Sequence, residues 1–175
     1  MEEKSTSVWK ESMNYGAILG LILIIYSVIL YVFDLTTSTP AGLGRTVFLI
    51  AGLIMGMKAY RDKVLGGNMS YGQALGFGVL MALFASVLLG FYMYLLYALI
   101  DPGLMDREFS IAEEKLLNKG MSADQIEAQM NMARKFASPA FSAIGTLFGM
   151  TFWGFILSLI ISIFMKRDKN PFEQQ

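Results

Sequence analysis

The sequence contains no cysteine and no histidine. Their joint absence excludes disulfides, Cys/His zinc sites, His-ligated haem, thiolate nucleophiles and an imidazole general base, and with them most familiar catalytic constellations. Charge is scarce too. Asp, Glu, Lys and Arg make up 16% of the 175 residues, where an ordinary soluble domain carries about a quarter. Apolar residues fill the gap: the hydrophobic fraction is 55%, with 13 Phe, 13 Met and 17 Gly, and the mean hydropathy is +0.51. This composition belongs to an integral membrane protein.

A hydrocarbon core of about 30 Å needs about 20 apolar residues of helix. Four segments answer that description: residues 13–33, an uncharged run at 46–57 extended by 41–45 and 58–60, residues 71–100, and residues 141–165. The second is the shortest, and Arg45 and Lys58 at its edges must reach toward the headgroups. The first reads as a retained helix, because its apolar stretch is long and residues 34–37 offer no small-x-small cleavage pattern. The expected fold is therefore all-α integral membrane, with four transmembrane helices and an extracytoplasmic helical hairpin between the third and fourth. Residues 1–12 form a tail, 13–100 hold the first three spans, 101–138 the hairpin, 139–165 the last span and 166–175 a second tail.

Four spans put both termini on one side. Lys4, Lys10, Lys58, Arg61, Lys63, Lys166, Arg167 and Lys169 gather there, eight cations against six opposite: Arg45, Arg107, Lys115, Lys119, Arg134 and Lys135. Loops rich in Lys and Arg stay inside, so both termini are expected in the cytoplasm.

The loop 101–138 carries its own helix signals. Ser110 with Glu113 reads as a capping box opening a helix that stops at Gly120, and Ser122 with Gln125 as a second, with Met121 and Ile126 spaced as a hydrophobic staple. Ile126, Met130, Ala133 and Ala137 form a stripe at helical spacing. Ser138-Pro139 supplies an N-cap and a first-turn proline for the last span, and Ser70 with Gln73 a capping box for the third.

Each span holds a G-x-x-x-G pair, at Gly16/Gly20, Gly52/Gly56, Gly72/Gly76 and Gly145/Gly149, which suits close helix packing within the bundle or against another subunit. Trp153, halfway along the last span, is expected to pack inside the bundle, where its N–H needs an acceptor. The third span is about 15 Å longer than the hydrocarbon core, so Tyr92, Tyr94 and Tyr97 form an aromatic collar at its far end. The collar is an interfacial girdle or a recognition surface for the hairpin or a partner; with Ile126 and Met130 it makes the candidate partner surface. Lys58, Arg61 and Lys63 beside Gly66 and Gly67 precede a helix N-terminus, which serves as a topology signal with a flexible turn or as a contact for a lipid phosphate. The spans carry no acidic residue for a proton or sodium relay. Asp101, Asp106, Glu108, Glu113 and Glu114 are the carboxylates available for general acid–base work, and on helix surfaces such groups are ordinarily just solvated.

Several strings taken in order, Tyr60-Arg61, Gly66-Gly67, Ser70-Tyr71-Gly72-Gln73-Ala74, Ile100-Asp101-Pro102, Met121 to Glu127 and the terminal Lys166-Arg167, resemble a family of bacterial four-helix membrane proteins, common in the Bacteroidetes and catalogued as domain of unknown function 4199. The resemblance implies four spans and an inner-membrane location, and carries over no catalytic residue. Members tend to be encoded near polyprenyl-phosphate sugar transferases, which points by association to lipid-linked sugars. The expected function is a non-enzymatic accessory or scaffold subunit of a cell-envelope membrane complex; the alternative is a small transporter or flippase of a lipid-linked substrate. No cofactor, metal or nucleic acid is expected. The expected partners are membrane lipids and either another protein or a second copy of the chain.

Overall fold

The computed structural model describes residues 8–167, apart from the Thr39 side chain. The tail cations Lys4 and Lys169 lie outside the described residues. Among the described residues six α-helices follow one another: α1 (Val8–Val32), α2 (Thr39–Lys63), α3 (Tyr71–Leu95), α4 (Leu104–Asn118), α5 (Ala123–Lys135) and α6 (Pro139–Met165). Four are long and apolar enough to cross a membrane, Val8–Val32, Pro40–Lys63, Tyr71–Ile100 and Pro139–Met165, and α4 and α5 form a helical hairpin between the last two. The chain is a multi-pass, all-α integral membrane protein.

The first helix already includes Val8–Ser12, inside the stretch read as a tail, and Trp9 packs edge-on against Phe84 of α3, 5.3 Å between ring centroids. The second span, shortest in its uncharged run, is a full helix of 25 residues. Its entry is set by Tyr26, whose hydroxyl donates to Ala41 O at 3.0 Å, and its exit by Gly66 and Gly67, whose φ of 66° and 90° only glycine adopts freely. Ser70 and Gln73 form the expected capping box on α3, and Ser138 caps α6 ahead of Pro139.

The most buried span is α3, packed along α1 on one side and α6 on the other, with α2 leaning on all three. Close approach depends on small residues. A Cβ at Gly16 would stand 2.7 Å from both Met81 O and Phe84 Cβ, and one at Gly90 would stand 2.9 Å from Ala143 O. Gly20, Gly52 and Gly56 are likewise enclosed, so the pairs in α1 and α2 lie at contacts. The pairs in α3 and α6 do not: a Cβ at Gly72, Gly76, Gly145 or Gly149 would meet nothing within 4 Å among the described residues. Contact there is made by Gly78 against Ser158 and Gly154 against Ala82, because α3 and α6 cross on a face that the G-x-x-x-G spacing does not mark. At the terminal end Tyr60 stacks on Phe77 at 4.4 Å, and Met69 and Arg167 exchange backbone hydrogen bonds of 2.9 and 2.8 Å that tie the end of α6 to the α2–α3 turn.

At the opposite end the third span runs on to Ile100, as its uncharged length implied. The Asp101 N–H donates to Leu96 O at 2.8 Å, an i to i+5 bond that closes a π turn over Leu96–Ile100, and the helix carries the hairpin on this extension. Ser110 opens no helix: α4 is already running from Leu104, and the Ser110 hydroxyl bonds back to Asp106 O at 3.1 Å. The helix ends as expected, with Gly120 at φ 78°. Ser122 and Gln125 form the second capping box.

Candidate functional site

Three spaces meet at the hairpin end of the bundle, and Tyr97 lines all of them. The largest, about 450 Å³, is a groove between α2 and α6 floored by α3. Its lining changes character along its length. Near the starts of α2 and α6 it is polar, with Arg45, Thr46, Ser142 and Thr146; deeper in the bundle it is apolar, with Leu23, Leu49, Leu89, Met150 and Trp153. From Ser142 to Trp153 the groove follows about 16 Å of helix, half a membrane's hydrocarbon thickness. Gly145 and Gly149 form part of its wall, which is why no neighbour stands over them.

The second space, about 230 Å³, adjoins the groove through Arg45, Met93 and Tyr97 and is lined further by Ser27, Thr36, Thr37 and Glu108. The Ser27 residue is 5% exposed, and its hydroxyl has no hydrogen-bond partner among the described residues. Arg45 forms no ion pair among the described residues, and neither does Glu108. The third space, about 420 Å³, lies between the hairpin and the first turn of α6, under Phe109, Phe136 and Phe141.

Polar clasps hold the hairpin over these spaces. Tyr97 donates to Glu108 Oε2 at 2.8 Å, Lys115 donates to Thr37 O, and Asp101 accepts from Tyr31 at 3.0 Å and from both guanidinium nitrogens of Arg107. The Arg107 guanidinium, with help from the Tyr31 hydroxyl, holds the Asp101 carboxyl below the usual carboxylate range, and Arg107 is raised in return. Inside the hairpin Arg134 lies over the Phe109 ring at 5.3 Å.

The candidate partner surface is largely internal. Tyr92, Tyr97, Ile126 and Met130 are each 8% exposed or less, and only Tyr94 faces outward. Tyr92 lies on the buried face of α3, α4 closes on Tyr97 through Glu108, and α5 buries its stripe on α4, leaving Ala133 exposed and Ala137 half-buried. Trp153 departs in the other direction. It is 61% exposed, on the groove wall, because α6 turns its opposite face, through Gly154 and Ser158, to α3.

At the terminal end Lys58 and Arg61 stand near Asp62, and the Met69–Arg167 bridge adds Arg167, a cation the linear reading assigned to a tail; Lys63 is not part of this group. Part of the expected cradle of free N–H groups is used within the turn: Gly67 N–H donates to Arg61 O at 2.9 Å, while Ser70 and Gln73 N–H are used by the capping box. Arg61 is paired with Asp62 at 2.7 Å, and Gly66 stands exposed. Nothing in the linear sequence groups Arg45, Ser27 and Glu108. The available signal was Arg45, an arginine six residues inside a spanning helix with no acidic residue in any apolar run to neutralise it.

Four spanning helices with a hairpin clasped across one end, and a groove open toward the lipid, define a multi-pass membrane protein with no metal-binding cluster of Asp or Glu among the described residues. The chain matches over residues 14–167, most of its length, and belongs to the family described as protein of unknown function DUF4199. No curated protein and no solved structure matches it.

Proposed function

We propose that the protein is a non-enzymatic accessory or scaffold subunit of a cell-envelope complex, set in a bacterial inner membrane with both termini in the cytoplasm, and that it holds a membrane lipid in the groove between α2 and α6. The observation that carries this is the graded lining of the groove, from Arg45 at the hairpin end, which has no ion pair among the described residues, to Trp153 at mid-span. A lipid has the same polarity profile along the same axis, and an apolar cleft with a few convergent polar groups is the usual form of a small-molecule site. Arg45 supports an anionic group at the head, where a charge-assisted bond replaces the ion pair that the described residues do not provide.

Holding is favoured over flipping by the far half of the bundle. No residue of α6 beyond Trp153 lines the groove, so it ends at mid-span instead of continuing toward the terminal end. Native mass spectrometry of the protein extracted in mild detergent tests the reading. The parent is expected to retain lipid, and Gly149→Leu, which places a side chain in the groove and against no neighbour, is expected to lose it while melting like the parent. Equal lipid retention in both would remove the groove as the site. A stoichiometric protein co-purifying with the chain would support the accessory role.

A further inference from the structure

The chamber beside the groove holds one cation and one anion that do not meet. Arg45 and Glu108 both line the space of about 230 Å³, yet neither is in an ion pair among the described residues. Glu108 is kept in place by the Tyr97 hydroxyl on Oε2, which leaves Oε1 to accept from something else. Arg45 is exposed and Glu108 half-buried, so the two opposite charges stand around one small space where an occupant carrying both signs can reach them. Bulk water would fill the volume with about seven or eight molecules, but it does not explain why both charges are held apart.

We infer that the chamber takes the zwitterionic headgroup of a phospholipid with a primary ammonium, the phosphate on Arg45 and the ammonium on Glu108. The inference rests on the proposed lipid groove: Arg45, Met93 and Tyr97 line both spaces, so a lipid with its chain against Leu49 and Met150 delivers its head to the chamber. The sign pattern excludes a purely anionic head, which would leave Glu108 facing a like charge. Choline offers Glu108 no N–H donor, so the chemistry selects a primary ammonium.

The test uses the full chain in nanodiscs made of equal parts phosphatidylethanolamine and phosphatidylglycerol with identical acyl chains, with bound lipid read by native mass spectrometry after release into detergent. The parent is expected to retain phosphatidylethanolamine over phosphatidylglycerol by about tenfold, the size of one charge-assisted contact. Glu108→Gln keeps an acceptor for Tyr97 and is expected to bring that ratio to near one with total lipid unchanged. Arg45→Gln is expected to lower both lipids by about tenfold. Lipid retained by the parent without headgroup preference, or a preference that Glu108→Gln leaves intact, would overturn the headgroup assignment and leave the groove standing. No retained lipid in the parent would overturn both.

Discussion

Tyr97, at the end of the third span, donates a 2.8 Å hydrogen bond to Glu108 on the first hairpin helix. That bond joins the membrane-embedded and extramembrane parts of the chain, and it lies on the wall of the groove, the chamber and the space under the hairpin. A residue read as part of an aromatic collar, either an interfacial girdle or a recognition surface for the hairpin or a partner, is thus a link between the bundle and its cap. The π turn starting at Leu96 makes this arrangement, keeping the consecutive residues Leu96 and Tyr97 both buried.

Stability of the bundle depends on some of its glycines and not on others. Gly16→Ala would place a methyl group 2.7 Å from Met81 O, a backbone atom that cannot rotate away, and should cost about 1–3 kcal/mol by overpacking. Gly149→Ala meets nothing and replaces glycine by a better helix former, so it should melt at or above the parent temperature. Thermal unfolding in detergent compares the two; a similar loss for both would show that the α6 pair is a contact after all.

Acid should loosen the hairpin. Asp101 has a folded-state pKa below its unfolded value, so its contribution is present above the unfolded pKa of about 4 and is lost as pH falls through the lower folded value. Protonation removes the charge that Arg107 and Tyr31 bind. Amide exchange in α4, compared at neutral pH and below a pH of about 4, should rise relative to that in α3, and Asp101→Asn should raise it already at neutral pH. Exchange in α4 that is indifferent to both changes would mean that the clasp does not hold the hairpin.

Trp153 should report lipid directly. In a Trp9→Phe background it is the single tryptophan, since the chain has two, and it is exposed at mid-span. Lipids brominated deep in the acyl chain should quench it more strongly than those brominated near the headgroup. Weak quenching by both would place the indole inside the bundle.

Topology can be read with a single introduced thiol, because the chain has no cysteine of its own. Asn118→Cys, at the exposed end of α4, should react with an impermeant maleimide in intact spheroplasts. Protection until lysis would reverse the assigned orientation and put the groove's polar end in the cytoplasmic half.

The spans, the hairpin and the caps at Ser70, Ser122 and Ser138 were legible in the linear sequence because each depends on local quantities: the length of an apolar run, or a side chain that reaches its own backbone three residues away. Which face of an apolar helix turns inward is not local. All four spans are apolar all round, so nothing in their periodicity separates Gly78 and Gly154, which meet α6 and α3 partners, from Gly76 and Gly149, which meet nothing, or tells that Trp153 would face out and Tyr92 in. The same holds for the chamber: Ser27, Arg45 and Glu108 come from α1, α2 and α4 and share a space only because the π turn lets the hairpin fold back over the bundle. Sequence by itself determined what crosses the membrane, through the free energy of burying each residue type; only the tertiary packing decided which polar groups were left facing one another.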